Sequence, residues 1–233
     1  MCIRDSFSEV GVTNGLINYW KFNNEVQDWA GSYNGSITGS PTYTAGIKGY
    51  GLEFDNNSSD YVTTGDIDLT DAITLSCLVY IDALTATYQM FVSKGYSSSW
   101  ALGVSSSGNF RFYLTTTSGY KGDSYGSGTA GNWYHLVLTY DNVSETCYRY
   151  VNGVGSADAS FSGDIATNDD NVYIGRGVGA SYPVDGIIDE VRIYNRALSA
   201  SEIKQLYNLY LGDSRMLLSE NGQTYIRGEL RET

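Results

Sequence analysis

The sequence predicts an all-β domain, a two-sheet antiparallel sandwich or jelly roll with one short C-terminal helix. Three observations carry this. Strand-length segments with period-two alternation recur from Gly15 to about Tyr194, turn residues separate them, and the composition suits strands and turns. Charged residues make up only 17% of the 233-residue chain, while Gly (27) and Tyr (21) are abundant. Exposed helix faces draw on Lys and Glu, which are scarce here. Tyr and Thr pack well on pleated strands, and glycine serves tight turns.

The clearest strand is AITLSCLVYI, which puts Ile73, Leu75, Cys77, Val79 and Ile81 on one face. LINYWKF alternates Ile17, Tyr19 and Lys21 against Leu16, Trp20 and Phe22. YGLEFD, DYVTT, QMFVSKG, WALGVSS, NFRFYLTT, WYHLVLTYD, TCYRYVNG, NVYIGRG and GIIDEVRIY continue the series. The connectors SSSG, TSGY, GSGTAGN and DNVSE carry turn chemistry. Short strands with no helix between them build sandwiches and jelly rolls.

One helix stands out, over Ser201–Tyr210. Ser199 is its N-cap and Glu202 closes a capping box. Ile203, Leu206, Tyr207 and Tyr210 form its apolar stripe, and Gly212 ends it. This helix is expected to pack on one edge of the sandwich.

The chain divides into three parts. Met1–Ser6, MCIRDS, reads as a translated sequencing-adapter scar of the kind found in metagenomic reads, and is set aside. Residues 7–211 form the domain. Residues 212–233 read as a hairpin around Asn221-Gly222. Two strands alone are marginal in water, so this tail is the start of a further module, an addition to the sandwich edge, or a frayed end.

Charge excludes some partners. Lys and Arg total 14 against 26 Asp and Glu, a net charge of −12. Such a chain repels phosphate backbones and offers no basic cluster to anionic lipid, so neither nucleic acid nor membrane insertion is expected. No apolar run approaches the ~20 residues of a spanning helix. Of the three cysteines, Cys2 falls in the scar. Cys77 and Cys147 are expected as buried thiols, with a disulfide only if their strands are neighbours. No CxxC or Cys/His cluster offers a zinc site.

The motif order resembles the laminin-G-like, concanavalin A-like jelly-roll domains of bacteria. The matching run is LINYWKFNNEVQDWAGSYNGS, YGLEFDNNSSDYVTTG, AITLSCLVYID, GNWYHLVLTYD, RYVNGV, NVYIGRG and DGIIDEVRIYNRALSASEI. It spans about Gly15 to Tyr207, and the last motif is the most specific. The resemblance implies the fold and a binding role, and leaves the ligand open. It also implies one structural calcium ion, with Asp28 in the first loop and Asp189 before the final strand. The alternative is that Asp28 caps its loop and Asp189 bonds to backbone.

The residues argue against catalysis. His135, beside Trp133, reads as a packed imidazole, since nothing near it in sequence is a nucleophile. Glu190 and Arg192 read as an ion pair. Asn152-Gly153 is a hairpin turn. Glycoside hydrolysis needs paired carboxylates. The nearest candidates, Glu53 and Asp55, sit at a strand end before a loop, and the ExDxxE run of related laminarinase-like enzymes is missing.

The expected function is therefore a non-catalytic carbohydrate-binding or adhesive module, tethered to other modules of a longer extracellular or cell- or virion-surface protein. A structural or protein-interaction module of an adhesin or viral tail fibre is the alternative, and a glycoside hydrolase-like domain a more remote one. Sugar binding in water uses aromatic platforms and a few polar groups. The loops offer Tyr96, Trp100, Tyr120, Tyr125 and Tyr182, with Asp123 as polar partner. Trp100 leads as a platform, although it also begins WALGVSS and could point into the core.

Overall fold

The computed structural model describes residues 11–85, 87–158 and 161–210, together with three short strands between 218 and 230. In chain order the strands are β1 (Leu16–Trp20), β2 (Ser36–Thr38), β3 (Thr42–Ala45), β4 (Tyr50–Asp55), β5 (Tyr61–Thr63), β6 (Ala72–Ile81), β7 (Tyr88–Ser93), β8 (Trp100–Ser105), β9 (Asn109–Thr116), β10 (Gly119–Ser127), β11 (Asn132–Asp141), β12 (Thr146–Val151), β13 (Val154–Asp158), β14 (Tyr173–Ile174) and β15 (Asp185–Tyr194). Helix α1 (Ala200–Tyr210) follows, then β16 (Leu218–Glu220), β17 (Gln223–Ile226) and β18 (Glu229–Leu230).

Two antiparallel sheets pack face to face. The eight-stranded sheet runs β13-β12-β11-β6-β15-β4-β3, with β1 also on β15. The seven-stranded sheet runs β10-β9-β8-β7-β14-β5-β2. Between them, the alternating face Ile73, Leu75, Cys77, Val79 and Ile81 of β6 joins one core with Trp100, Leu102 and Val104 of β8 and Phe110, Phe112 and Leu114 of β9. This is the sandwich the alternation predicts. Cys77 and Cys147 are both buried on strands separated by β11, and no disulfide joins them.

Four strands are not apparent in the sequence: β2, β3, β10 and β13. All are polar or glycine-containing. The most consequential is β10, GYKGDSYGS, which looks like turn chemistry but pairs along its length with β9 at the sheet's edge. An edge strand has one partner and one open side, so it needs no continuous apolar face.

The turn at Asn152-Gly153 has positive φ at both residues (53° and 74°), with Val151 opposite Val154, as a two-residue hairpin requires. The capping box forms as expected: Glu202 N–H donates to Ser199 Oγ (3.3 Å) and Ser199 N–H to Glu202 Oε2 (2.9 Å). The helix, however, lies on a face of the sandwich and not on its edge. Ile203 and Leu206 pack on Val137, Tyr150 and Tyr194, covering the outer side of the eight-stranded sheet. The strands β16, β17 and β18 form a sheet of their own, with Glu220 opposite Gln223. Met1–Ser6 with Cys2, Gly212 and the Asn221-Gly222 dipeptide lie outside the described residues.

Beneath α1 sits a buried ion pair. Arg192 Nη2 donates to Glu190 Oε2 (2.6 Å), Tyr19 Oη (2.9 Å) and Tyr210 Oη (2.8 Å), and Tyr19 donates to the same Glu190 oxygen at 2.5 Å. Both charged side chains are 2% exposed. Burial opposes the Arg192 charge, but Glu190 and the surrounding phenols hold its pKa well above the ordinary value. Burial likewise pushes the Tyr19 phenol far up, keeping it a donor. The network ties β1, β15 and α1 together. It also accounts for Glu190 at φ 53°, a conformation costly for a non-glycine residue, at the bulge where β15 changes partner from β4 to β1.

Removing one member strands the other's charge. Arg192→Met should lower unfolding stability by roughly 3–5 kcal/mol in urea denaturation, because Glu190 is left buried without its cation. The double variant Arg192→Met/Glu190→Gln should lose less than Arg192→Met alone.

Candidate functional site

Strand periodicity sorts the predicted ligand residues onto two faces. On β8, Trp100, Leu102 and Val104 point inward and Ala101 and Gly103 outward. Trp100 is fully buried in the core, so it cannot act as a sugar platform, and the expectation is corrected there. On β10, Lys121, Asp123 and Tyr125 share the inner side, opposite Leu114 and Phe112. Asp123 is spent in an ion pair with Arg149 of β12, bridging the two sheets. Tyr125 packs against the core. Tyr120, two residues before Gly122, points outward. Placing Tyr120, Asp123 and Tyr125 together on a loop was therefore wrong in kind, because a strand separates odd from even positions.

The outer face of the seven-stranded sheet does bring residues together. Tyr88 and Met90 of β7, Ala101 of β8 and Tyr113 of β9 form a small apolar cluster joined by Tyr96 and Tyr182 from loops. Tyr182 sits edge-on to Tyr88 (5.7 Å between ring centroids) and to Tyr96 (5.5 Å). Tyr96 meets Tyr113 at 5.7 Å, and Tyr113 stacks on Tyr120 at 6.3 Å and 15°. Edge-on and stacked pairs at these spacings are favourable for aromatic quadrupoles. The Tyr113–Tyr120 contact is diagonal across β9 and β10, and it depends on Gly122: a Cβ there would lie 2.6 Å from the Tyr113 ring. Tyr120 is the most open member, 46% exposed.

Arg111 of β9 completes the face. Its guanidinium lies 5.7 Å from the Tyr88 ring centroid and 5.5 Å from that of Tyr113. Its Nε donates to Tyr113 Oη (3.3 Å) and its Nη1 to Ser124 Oγ (2.5 Å). Burial, then Arg111, act in opposite directions on the Tyr113 phenol, with a net upward shift. Tyr182 is held above the usual phenol range first by its hydrogen bond with Tyr96 and then by burial. The phenols of Tyr113 and Tyr182 are thus held neutral beside the Arg111 cation.

The loop that carries Tyr96 is held from behind by Lys94, which is fully buried. Its Nζ pairs with Asp66 and with Asp68 (3.1 Å) and donates to the carbonyls of Asn168 (2.8 Å) and Asp170 (2.9 Å). Asn168 Nδ2 bonds Lys94 O and Ser98 Oγ, both at 2.9 Å. Tyr182 is held by its own backbone, whose carbonyl accepts from Met90 N–H (3.0 Å). Arg111, Tyr113, Tyr88 and Lys94 were missed in the sequence. The available signal was NFRFYLTT, where Arg111 and Tyr113 alternate with Phe110, Phe112 and Leu114.

Other candidates are committed elsewhere. His135 is buried beneath α1, its Nε2 2.9 Å from Ser76 Oγ and its ring stacked on Tyr207. Burial and then Arg192 lower its pKa to about 3. A cleft of about 290 Å³ is lined by Asn18, Tyr33, Ile67 and Asp68 among others. Two of its polar groups are occupied, Asn18 by Asp28 (2.6 Å) and Asp68 by Lys94.

The two aspartates expected to hold calcium are each bound by a different loop. Asp28 accepts from Asn18 Nδ2 and from the N–H groups of Tyr19, Ala30, Gly31 and Tyr33, at 2.6–3.1 Å. Five donors fill the acceptor sites of one carboxylate. Asp189 Oδ2 accepts from Ile47 N–H (3.0 Å), while Oδ1 has no partner. Burial, then the charge of Glu190, push the Asp189 carboxyl up to about 8. Calcium needs six to eight oxygen ligands. Among the described residues no group of three or more His, Cys, Asp or Glu could hold a metal ion. Asp28 thus caps its own loop, and Asp189 bonds to backbone through one oxygen in a separate loop.

Two antiparallel sheets packed face to face, with one short helix on the eight-stranded sheet, make a jelly-roll sandwich. The model of the concanavalin A-like lectin/glucanases superfamily, of laminin G type, matches residues 55–204, and the chain belongs to this family. No curated protein sequence matches the chain significantly. Among solved structures, domain 4 of AbnA, an extracellular arabinanase from Geobacillus stearothermophilus in complex with arabinotriose, is similar with a TM-score of 0.66 at 22% identity. The alignment covers 84% of this chain and 98% of that one. The binding domain of Paraclostridial Mosquitocidal Protein 1 is similar at TM-score 0.72 and 15% identity, over 86% of this chain and 53% of that one. The sialidase of Trypanosoma rangeli is similar at TM-score 0.66 and 19% identity, over 84% of this chain and 33% of that one. The chain thus spans about half of the toxin fragment and a third of the sialidase.

Calcium and chelator should leave the melting curve unchanged, since an ion that binds only the native state would raise it. A second expectation concerns pH. Asp189 has a folded pKa of about 8 against 3.8 unfolded, so its contribution is present below pH 3.8 and is lost as pH rises towards 8. His135 runs the other way, with about 3 folded against 6.5 unfolded, so its contribution is present above pH 6.5 and lost as pH falls towards 3. The stability of the wild type minus that of Asp189→Asn should therefore decline steadily as pH rises from 4 to 8, measured by urea denaturation at each pH.

Proposed function

We propose that this chain is a non-catalytic carbohydrate-binding module of a larger extracellular protein, and that sugars lie on the outer tyrosine face of the seven-stranded sheet. One observation carries the reading: Tyr88, Tyr96, Tyr113, Tyr120 and Tyr182, from strands and loops far apart in sequence, converge in one contact network around Arg111. Phenol rings present an apolar surface to the faces of a sugar ring and hydroxyls to its edges. Tyr120 is the exposed ring of the face, and Tyr88, Tyr96 and Tyr182 are partly buried beside it.

Two further points support it. Among the described residues, none of the ring or hydrogen-bond contacts in the cluster involves a carboxylate, whereas glycoside hydrolysis needs two. The AbnA domain, which the alignment covers almost completely, was solved with arabinotriose. The toxin binding domains among the similar structures favour a second reading, a receptor-binding module that uses the same face. The extracellular setting rests on such relatives. Among the described residues no helix is long and apolar enough to cross a membrane.

Tyr120→Ala and Tyr96→Ala should each weaken binding to a retained glycan by roughly 10- to 30-fold, about 1.4–2 kcal/mol, with little change in melting temperature. Trp100→Ala should instead destabilise the fold by ~3–5 kcal/mol. A glycan array followed by titration calorimetry measures the first, and urea denaturation the second. A blank array, or retention unchanged in both tyrosine variants, would reject this face as a carbohydrate site.

A further inference from the structure

We infer that the sugar taken by this face bears a carboxylate, and that Arg111 is the group that receives it. The inference rests on the carbohydrate-binding reading above and narrows it to acidic glycans.

Acidic residues outnumber basic ones 26 to 14, and four of the described cations are paired with carboxylates. Arg192 pairs with Glu190, Arg196 with Glu202, Arg149 with Asp123 and Lys94 with Asp66. Arg111 has no such partner among the described residues. Its hydrogen bonds go to a phenol and a serine hydroxyl. The groups that act on its charge, after burial, are the phenols of Tyr113, Tyr88 and Tyr120. Its second terminal nitrogen, Nη2, makes no hydrogen bond to the described residues. Arg176, Lys21 and Lys204 also make no ion pair among the described residues; Arg176 is 9% exposed, lies 3.4 Å over the Tyr61 ring and donates to Ser58 O (2.9 Å), while Lys21 and Lys204 are surface lysines over the Trp29 and Tyr207 rings. Arg176 is thus a packed strut, whereas Arg111 is half-buried on an open face.

Such a cation is prepared for an anion. Its charge is already partly desolvated by Tyr88 and Tyr113, and its plane is fixed by two hydrogen bonds, so a carboxylate meets an oriented fork in a lowered dielectric. Tyr120 stands beside Tyr113 as an open ring on which the body of the sugar can stack. The remaining charge of the chain sets a limit. A net charge of −12 disfavours polyanions, so the ligand is an otherwise neutral oligosaccharide with a single acidic sugar.

The test uses matched ligands on the whole chain: 3′-sialyllactose against lactose, and a xylooligosaccharide bearing one glucuronic acid against the unsubstituted chain of the same length. Calorimetry should show the acidic member of at least one pair binding about tenfold or more tighter. That preference should shrink at high salt, and it should vanish for the methyl ester of the same acidic sugar. Arg111→Gln should abolish the preference while leaving the melting temperature in place, and Tyr120→Ala should weaken both members of the pair. The methyl ester tests the proposal even if Arg111→Gln fails to fold. Equal affinity within both pairs, or a preference that survives both Arg111→Gln and esterification, overturns the acidic-glycan inference and leaves the carbohydrate reading standing. No binding to any member, together with a blank glycan array, overturns the carbohydrate reading and this inference with it.

Discussion

The buried Arg192–Glu190 pair is the constraint on which the rest of the architecture turns. It sits where β15 exchanges one neighbour, β4, for another, β1, at a bulge with Glu190 in a left-handed conformation. A bulge of this kind would be a weak point in a central strand. Here the bulged residue carries the carboxylate that Arg192, Tyr19 and, through the guanidinium, Tyr210 require. β1, β15 and α1, the only helix among the described residues, are thereby fixed in one place. Because the charges are sealed from water, loss of any one member is felt by the others, and the closing elements of the chain become interdependent.

That closure divides the sandwich into two unlike surfaces. On the eight-stranded sheet, α1 covers the outer side with His135 bonded to Ser76 beneath it, and Asp189 bonds backbone in the β3–β4 turn. On the seven-stranded sheet no element among the described residues covers Tyr120, and the tyrosines lean on each other. The same residue types therefore have different fates. Tyr19 and Tyr210 hold a core charge, whereas Tyr120 is exposed on the outer face with Tyr113 buried beside it. The distinction arises from which sheet the helix covers, and composition cannot reveal it.

What the sequence made legible follows from period two. The face Ile73–Ile81 of β6, the capping box of Ser199 and Glu202, the Asn152-Gly153 turn and the Glu190–Arg192 pair are local signals, and each is realised. The candidate site was legible only in part. Tyr96, Tyr120 and Tyr182 belong to the aromatic face, yet they meet through tertiary contacts between residues 96, 113, 120 and 182 that no local pattern encodes. Asp123 and Tyr125 were misplaced because β10 is an edge strand with three glycines and no apolar stripe, so its alternation was hidden. Trp100 beside a run of serines looked exposed, but the side of β8 it occupies is set by Leu102 and Val104, two and four residues on. The calcium expectation came from the resemblance alone, and the N–H donors around Asp28 fill the places an ion would need.

The face is also more rigid than its loops suggest, and this bears on recognition. Tyr96 rides on a loop whose base is nailed by Lys94, a fully buried cation bonded to Asp66, Asp68, Asn168 and Asp170. Tyr182 hangs from the β7 backbone through Met90. Tyr88, Arg111 and Tyr113 stand on strands within the sheet, and Gly122 leaves room for Tyr113 and Tyr120 to stack. A ligand arriving here meets side chains already in place, so little conformational entropy is lost on binding. Rings also lose little freedom when they contact a sugar, having two side-chain torsions each. A pre-formed site of few contacts can bind selectively, though weakly, and linking several such sites raises affinity through effective concentration.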